Sequence, residues 1–76
     1  MNNIQTIPYL HRIETLEGYV AFINPSIITR IEYHPVNSNW ADIYVSGETN
    51  PYTVKILPDD LIVQINVGYK NFLAKI

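Results

Sequence analysis

Residues 19–60, with the sequence YVAFINPSIITRIEYHPVNSNWADIYVSGETNPYTVKILPDD, decide the fold, because short apolar segments alternate in them with turn-forming residues. The run 19–23 is apolar throughout and short enough for a buried strand, and we expect it to be the central one. The break at 24–26 contains Pro25, and the residue before a proline avoids the helical region. From 27 to 34 apolar and polar side chains alternate, which predicts a half-buried strand.

Three more strands are predicted, two after this one and one before residues 19–23. Residues 41–46 alternate in the same way and give a fourth strand, and 53–56 give a fifth. Upstream, residues 7–15 form the first strand, in which Pro8 lies at the beginning or on an edge because it cannot donate to a ladder. The segment 16–18 then forms a hairpin turn that ends on a glycine. The strands therefore follow one another as antiparallel neighbours.

A helix is predicted after the last strand. Pro58 suits its first position, and Asp59 and Asp60 in the first turn oppose the positive end of the helix dipole. One face of this helix is apolar and consists of Leu61, Ile65, Tyr69, Phe72 and Ile76. Several β-branched residues in 61–67 also allow a strand there, so helix and strand both stay open for that segment, with helix favoured.

The predicted fold class is therefore α+β, mostly β: a small antiparallel meander of about five strands with one C-terminal helix packed on it. No linker or repeat divides the chain, so 1–76 is expected to be a single small domain. Such a domain buries only about 60% of the surface of its unfolded chain, and cysteine is absent, so no disulfide supports the core. Hydrophobic residues make up 47% of the chain and charged residues 16%. We therefore expect a homo-oligomer or an obligate protein partner.

Charge and hydropathy exclude two classes of partner. The net charge is −2, and no run of Lys or Arg occurs, so the electrostatic signature of a nucleic-acid binder is missing. No stretch approaches the roughly 18 apolar residues of a membrane span, and the first residues do not read as a signal peptide. We expect a cytoplasmic protein with no membrane partner and no nucleic-acid partner.

A search for catalytic and metal-ligating patterns predicts no enzyme, no cofactor and no metal site. His11 and His34 are the only histidines, and no third ligand follows at a suitable spacing, although both could reach one face of a meander. Asp59 and Asp60 are typical of a helix entry rather than of acid–base catalysis. The serines lack the setting of a nucleophile, and the isolated glycines do not form a phosphate-binding loop.

Four segments together resemble the small flagellar FlbD-like family: Val-Ala-Phe-Ile-Asn-Pro-Ser-Ile-Ile-Thr-Arg-Ile-Glu at 20–32, Ile-Tyr-Val at 43–45, Tyr-Thr-Val-Lys at 52–55 and Pro-Asp-Asp-Leu-Ile at 58–62. The shared pattern is a strand, an Asn before an Ile-Ile-x-x-Ile-Glu segment, a hairpin, and a Val-Lys strand that leads into an acidic helix. It covers more than half of the chain, and short bacteriophage proteins show a similar pattern. The resemblance implies a small meander with a helix and a flagellar accessory role, and it brings no catalytic or binding residues.

Aromatic residues indicate a contact surface, because Tyr and Trp dominate the hot spots of protein interfaces. Alternation places Tyr44 on the outer face of the sheet with Arg30 and Glu32. Trp40 lies beside a polar loop, and Ile28 is predicted to be an apolar anchor on the same face as Arg30. These five residues are the candidate partner-binding site.

The leading functional hypothesis is a non-enzymatic protein-binding module, an adaptor or inhibitor of bacteriophage or bacterial origin, that acts through this aromatic, weakly acidic sheet face. One alternative is a homo-oligomer that binds or sequesters a small molecule in pockets between protomers, lined by Tyr and Asn. A flagellar accessory protein is the second alternative.

Overall fold

The computed structural model describes residues 8–75. It contains five strands, one α-helix and, between the second and third strands, a short 3₁₀-helix at Pro25–Ile27. The bounds are β1 His11–Glu14, β2 Val20–Ile23, β3 Ile28–Tyr33, β4 Ala41–Val45, β5 Tyr52–Val54 and α1 Pro58–Ala74. All pairings are antiparallel, so the predicted α+β class, mostly β with a C-terminal helix, is confirmed.

The strands form two sheets. β1 and β2 pair as a hairpin, and β3, β4 and β5 form a three-stranded meander in that order. A backbone hydrogen bond joins the two parts, since the Leu16 N–H donates to the Thr53 carbonyl at 2.8 Å. At the predicted hairpin turn, Gly18 has a φ of 95°, a value that favours glycine.

The expectation that 19–23 forms the central strand is wrong. β2 belongs to the two-stranded sheet, where Ile23 is buried but Phe22 is 61% exposed. A two-stranded ribbon packs only one of its faces on the core, so alternate side chains of an apolar run remain in solvent. An apolar run alone does not tell a strand buried on both faces from one buried on a single face.

The core lies between the two sheets and α1. Its buried apolar side chains come from both sheets and the helix: Ile13, Ile23, Ala41, Ile43, Val45, Val54, Leu61 and Ile65. β4 supplies three of them, because its inner side chains alternate with outer ones along the strand. Ile43 and Leu61 are almost fully buried and join the meander to the helix.

The segment 61–67 is helical, so the strand alternative is excluded. Burial of Leu61 and Ile65 against the sheet outweighs the weak preference of β-branched residues for strands. Of the predicted apolar face, Phe72 is half-buried and Tyr69 is exposed, while Ile76 lies outside the described residues. The predicted first strand is shorter than 7–15, since β1 begins at His11, and Ile7 also lies outside the described residues.

Gly68 allows the chain before β1 to pack on the helix. The Tyr9 ring lies on this glycine, and a Cβ added there would overlap the phenol, with Cζ only 2.8 Å away. The rings of Tyr69 and Phe72 are 6.0 and 5.7 Å from that of Tyr9. A hydrogen bond of 2.6 Å also joins the Tyr9 hydroxyl to Nδ1 of His11, and partial burial lowers the pKa of His11, which favours its neutral imidazole.

Gly68→Ala is expected to destabilise the protein by about 1–3 kcal/mol, because the added methyl group overlaps the Tyr9 ring. In a Tyr9→Ala background the same substitution is expected to stabilise the protein by up to about 1 kcal/mol, since the ring is gone and alanine favours a helix. Chemical denaturation of the four proteins measures both effects. Equal effects in the two backgrounds would show that Tyr9 does not pack on Gly68.

Candidate functional site

The face of the β3–β4–β5 sheet directed away from the core carries most of the predicted contact residues. We call it the outer face; its side chains are Arg30, Glu32, Asp42, Tyr44 and Thr53. The register places Arg30 opposite Tyr44 and Asp42 between Glu32 and Thr53. Cross-strand neighbours of this kind are close enough for their side chains to interact.

A β-bulge at the start of β3 decides which residues reach the outer face. Ile28 pairs with Val45 and Arg30 with Tyr44, so Thr29 is the extra residue. The Thr29 hydroxyl donates to the Tyr44 carbonyl at 3.2 Å within this irregularity. Because Val45 is buried, its partner Ile28 also packs against the core. The prediction that Ile28 shares a face with Arg30 is therefore wrong, since regular alternation fails where a residue is inserted.

Arg30, Tyr44 and Glu32 form one connected group on the outer face. The Arg30 guanidinium carbon lies 3.8 Å from the centre of the Tyr44 ring, and Nε of Arg30 is 2.8 Å from a carboxylate oxygen of Glu32. The two charged side chains are 57% and 50% exposed. An exposed cation–π contact contributes about 0.5–1 kcal/mol and a surface ion pair about 0–1 kcal/mol, so the group orients Arg30 more than it stabilises the fold.

A second group lies next to it and contains Asp42, which is only 3% exposed. Oδ1 of Asp42 accepts hydrogen bonds from the Thr53 hydroxyl at 2.8 Å and from Nδ1 of His34 at 2.9 Å. Because a carboxylate only accepts, Nδ1 of His34 carries the proton. The His34 ring in turn lies 5.6 Å from that of Trp40, which is half-buried. Trp40 is thus held at the end of the outer face.

Sequence reasoning included Trp40 but missed the hydrogen bonds that join His34, Asp42 and Thr53. Alternation assigned Asp42 to the outer face and so suggested that it was exposed. The available signal was that His34, Asp42 and Thr53 lie on one face of three successive strands, where polar residues of complementary type can bond across the sheet.

Asp42→Ala is expected to destabilise the protein by about 1–3 kcal/mol, because it removes the shared acceptor of His34 and Thr53. Glu32→Ala on the same face is the matched control and should change stability by no more than about 0.5 kcal/mol, since that carboxylate is exposed. Urea denaturation of the three proteins gives the comparison. Similar losses for the two variants would contradict the buried role assigned to Asp42.

A groove lies on the other side of the molecule, between the chain before β1, the 3₁₀-helix and α1. Its volume is about 530 Å³, and none of the described residues that line it is charged. We call it the tyrosine groove; it is lined by Pro8, Tyr9, Asn24, Pro25, Ser26, Ile65, Asn66, Tyr69 and Phe72. Aromatic and apolar walls with a few amide and hydroxyl groups are typical of sites for small ligands.

The two histidines do not form a common site. His11 lies in the β1–β2 hairpin and bonds to Tyr9, whereas His34 follows β3 and bonds to Asp42. Within residues 8–75 there is no group of three or more His, Asp or Glu side chains placed to hold a metal ion. Asp59 accepts a hydrogen bond from Tyr33 at 3.4 Å and Asp60 is exposed, both in the first turn of α1.

Comparison of the chain with protein-family models, with curated proteins and with solved structures gives no match. The resemblance to the FlbD-like family therefore stays a prediction. In the described part of the chain, none of the helices has the length and apolar character needed to cross a membrane.

Proposed function

We propose that this protein is a non-enzymatic protein-binding module, a cytoplasmic adaptor or inhibitor of bacteriophage or bacterial origin. The contact surface is the outer face, with Arg30 and Tyr44 at its centre, Glu32 beside them and Trp40 at one end. The observation that carries the proposal is the Arg30 guanidinium, stacked on Tyr44 and bonded to Glu32 while more than half exposed.

The physical basis is preorganisation. Immobilising a long side chain at an interface costs about 0.5–1.5 kcal/mol, and this cost falls when contacts within the free protein already orient it. Arg30 is oriented in this way, and its guanidinium still has N–H groups to donate to a partner. Arg, Tyr and Trp are also the residue types most enriched at interface hot spots.

Charge on this face is mixed but weak. Arg30 and Glu32 offset each other, and Asp42 is buried against His34 and Thr53. A surface of this kind lacks a strong field that would attract polyanions such as nucleic acid. It suits a protein surface that offers acceptor groups to Arg30 and apolar area to the two aromatic rings.

Site-specific photo-crosslinking in bacterial host cells tests the proposal. A photoreactive residue placed at Asn39, an exposed position next to Trp40, is expected to give a discrete protein adduct. Arg30→Ala is expected to reduce the yield of this adduct at least tenfold, because truncation of a hot-spot residue costs about 2 kcal/mol or more. Arg12→Ala is the matched control, since Arg12 is an exposed arginine on the β1–β2 hairpin. It should leave the adduct unchanged. No adduct, or equal loss in both variants, would contradict the proposal.

The tyrosine groove favours a second candidate function, the binding of a small molecule by a homo-oligomer. Its volume of about 530 Å³ lies within the range of about 300–1,000 Å³ common for ligand sites, and Tyr and Asn side chains line it. Tyr69 is 48% exposed, so one wall of the groove is open and could be closed by a second protomer. The uncharged lining suits a neutral ligand with a flat face that stacks on tyrosine.

A screen of neutral heteroaromatic fragments by protein-observed NMR tests this candidate. Fragments that bind should shift the resonances of groove residues, and Tyr69→Ala should weaken their binding at least tenfold, because it removes a stacking surface worth about 1–3 kcal/mol. Tyr33→Ala, which removes an exposed tyrosine at the other end of α1, is the control. Binding that is equally sensitive to both variants, or no binding by any fragment, would reject the candidate.

A further inference from the structure

The side of α1 opposite the core carries a regular series of exposed residues. Asp60, Val63, Val67, Lys70 and Ala74 follow one another at intervals of three, four, three and four, which is the spacing of a coiled-coil seam. We call these five residues the outer seam. Val63 is 59% exposed and Val67 53% exposed, so the apolar middle of the seam is open to solvent.

Helix propensity does not account for these valines. Valine is less favourable than alanine in a helix by several tenths of a kcal/mol, and an exposed position gives it no packing in return. The opposite side of the same helix already supplies the core through Leu61 and Ile65. A soluble helix normally carries polar residues away from its core, so an apolar centre on the outer side indicates a second contact.

The charges along the outer seam indicate which kind of partner covers it. The acidic residues of α1, Asp59 and Asp60, lie in its first turn, whereas Lys70 lies ten residues after Asp60 in the C-terminal half. An antiparallel copy of the same helix presents these charges in reverse order. Placing Val63 opposite Val67 of the second copy also places Asp60 opposite Lys70 of the second copy, because both pairs are centred on the same point of the helix.

We propose that two copies of this protein pair through their outer seams, with the α1 helices antiparallel about a two-fold axis. The symmetry makes every contact twice, so the interface contains two Val63–Val67 contacts and two Asp60–Lys70 ion pairs. Antiparallel packing also sets the dipoles of the two helices in opposite directions, which is favourable. The seam lies on α1 and the proposed partner surface lies on the sheet, so this pairing does not rest on the proposed function.

Charge exchange tests the pairing. Sedimentation velocity is measured from micromolar to millimolar concentration on the full chain, on Asp60→Lys, on Lys70→Asp and on the double variant. Each single substitution places like charges opposite each other twice and should weaken dimerisation at least tenfold, and the double variant should restore it to within about threefold. Circular dichroism verifies that all four proteins are folded. A monomeric parent protein, or a double variant as weak as the single ones, would overturn the proposal.

The geometry has an independent test, because the chain contains no cysteine. Val63→Cys and Val67→Cys proteins are oxidised separately and as a mixture. Antiparallel pairing predicts that the mixture forms a disulfide-linked heterodimer much faster than either protein forms a homodimer. Faster homodimer formation by Val63→Cys alone would indicate parallel helices and overturn the proposed arrangement.

Discussion

The alternation of side chains along β4 is the constraint on which the rest of the structure depends. Ala41, Ile43 and Val45 point inward and are buried with Leu61 and Ile65 of the helix, which joins the meander to α1 in a single small core. The intervening residues Asp42 and Tyr44 point outward and organise the two groups of the outer face. One strand therefore supplies both the packing that holds the fold together and the centre of the candidate contact surface. A shift of its register by one residue would turn the apolar side chains toward solvent and the outer ones toward the core.

Because of the bulge at Thr29, the side chains of Ile28 and Arg30 lie on opposite faces of the sheet. Ile28 lies opposite Val45 and packs against the core, while Arg30 reaches the outer face opposite Tyr44. Without the extra residue, Thr29 would lie opposite Val45, and the apolar side chain of Ile28 would turn toward solvent beside Arg30. The bulge thus removes an exposed apolar group and leaves a polar and aromatic face, in keeping with the frequent use of bulges to redirect a side chain near functional sites.

The strands, the helix and part of the candidate contact surface could be predicted from the sequence, because their signals are local. Alternation identified β3 and β4 and placed Arg30, Glu32 and Tyr44 on one face, and the Pro58 entry signal identified the helix. What could not be predicted depends on residues far apart in the chain. The bulge depends on the pairing of two strands. The burial of Asp42 depends on hydrogen-bond donors from β5 and from His34, which follows β3. The glycine at 68 is explained only by the ring of Tyr9, near the other end of the described chain. Self-association and partner binding stay predictions, because contacts between two chains are not encoded by a local sequence pattern. Only the spacing and the charge of exposed residues indicate them.

The separation of the core from the contact surface depends on the register between β3 and β4, so this register is the first quantity to measure. Cross-strand nuclear Overhauser effects in uniformly labelled protein measure it. We expect contacts between the backbones of Ile28 and Val45 and between those of Arg30 and Tyr44, with Thr29 left out of the ladder. A contact that pairs Thr29 with Val45 in a continuous ladder would contradict this expectation, since Ile28 would then lie on the exposed face.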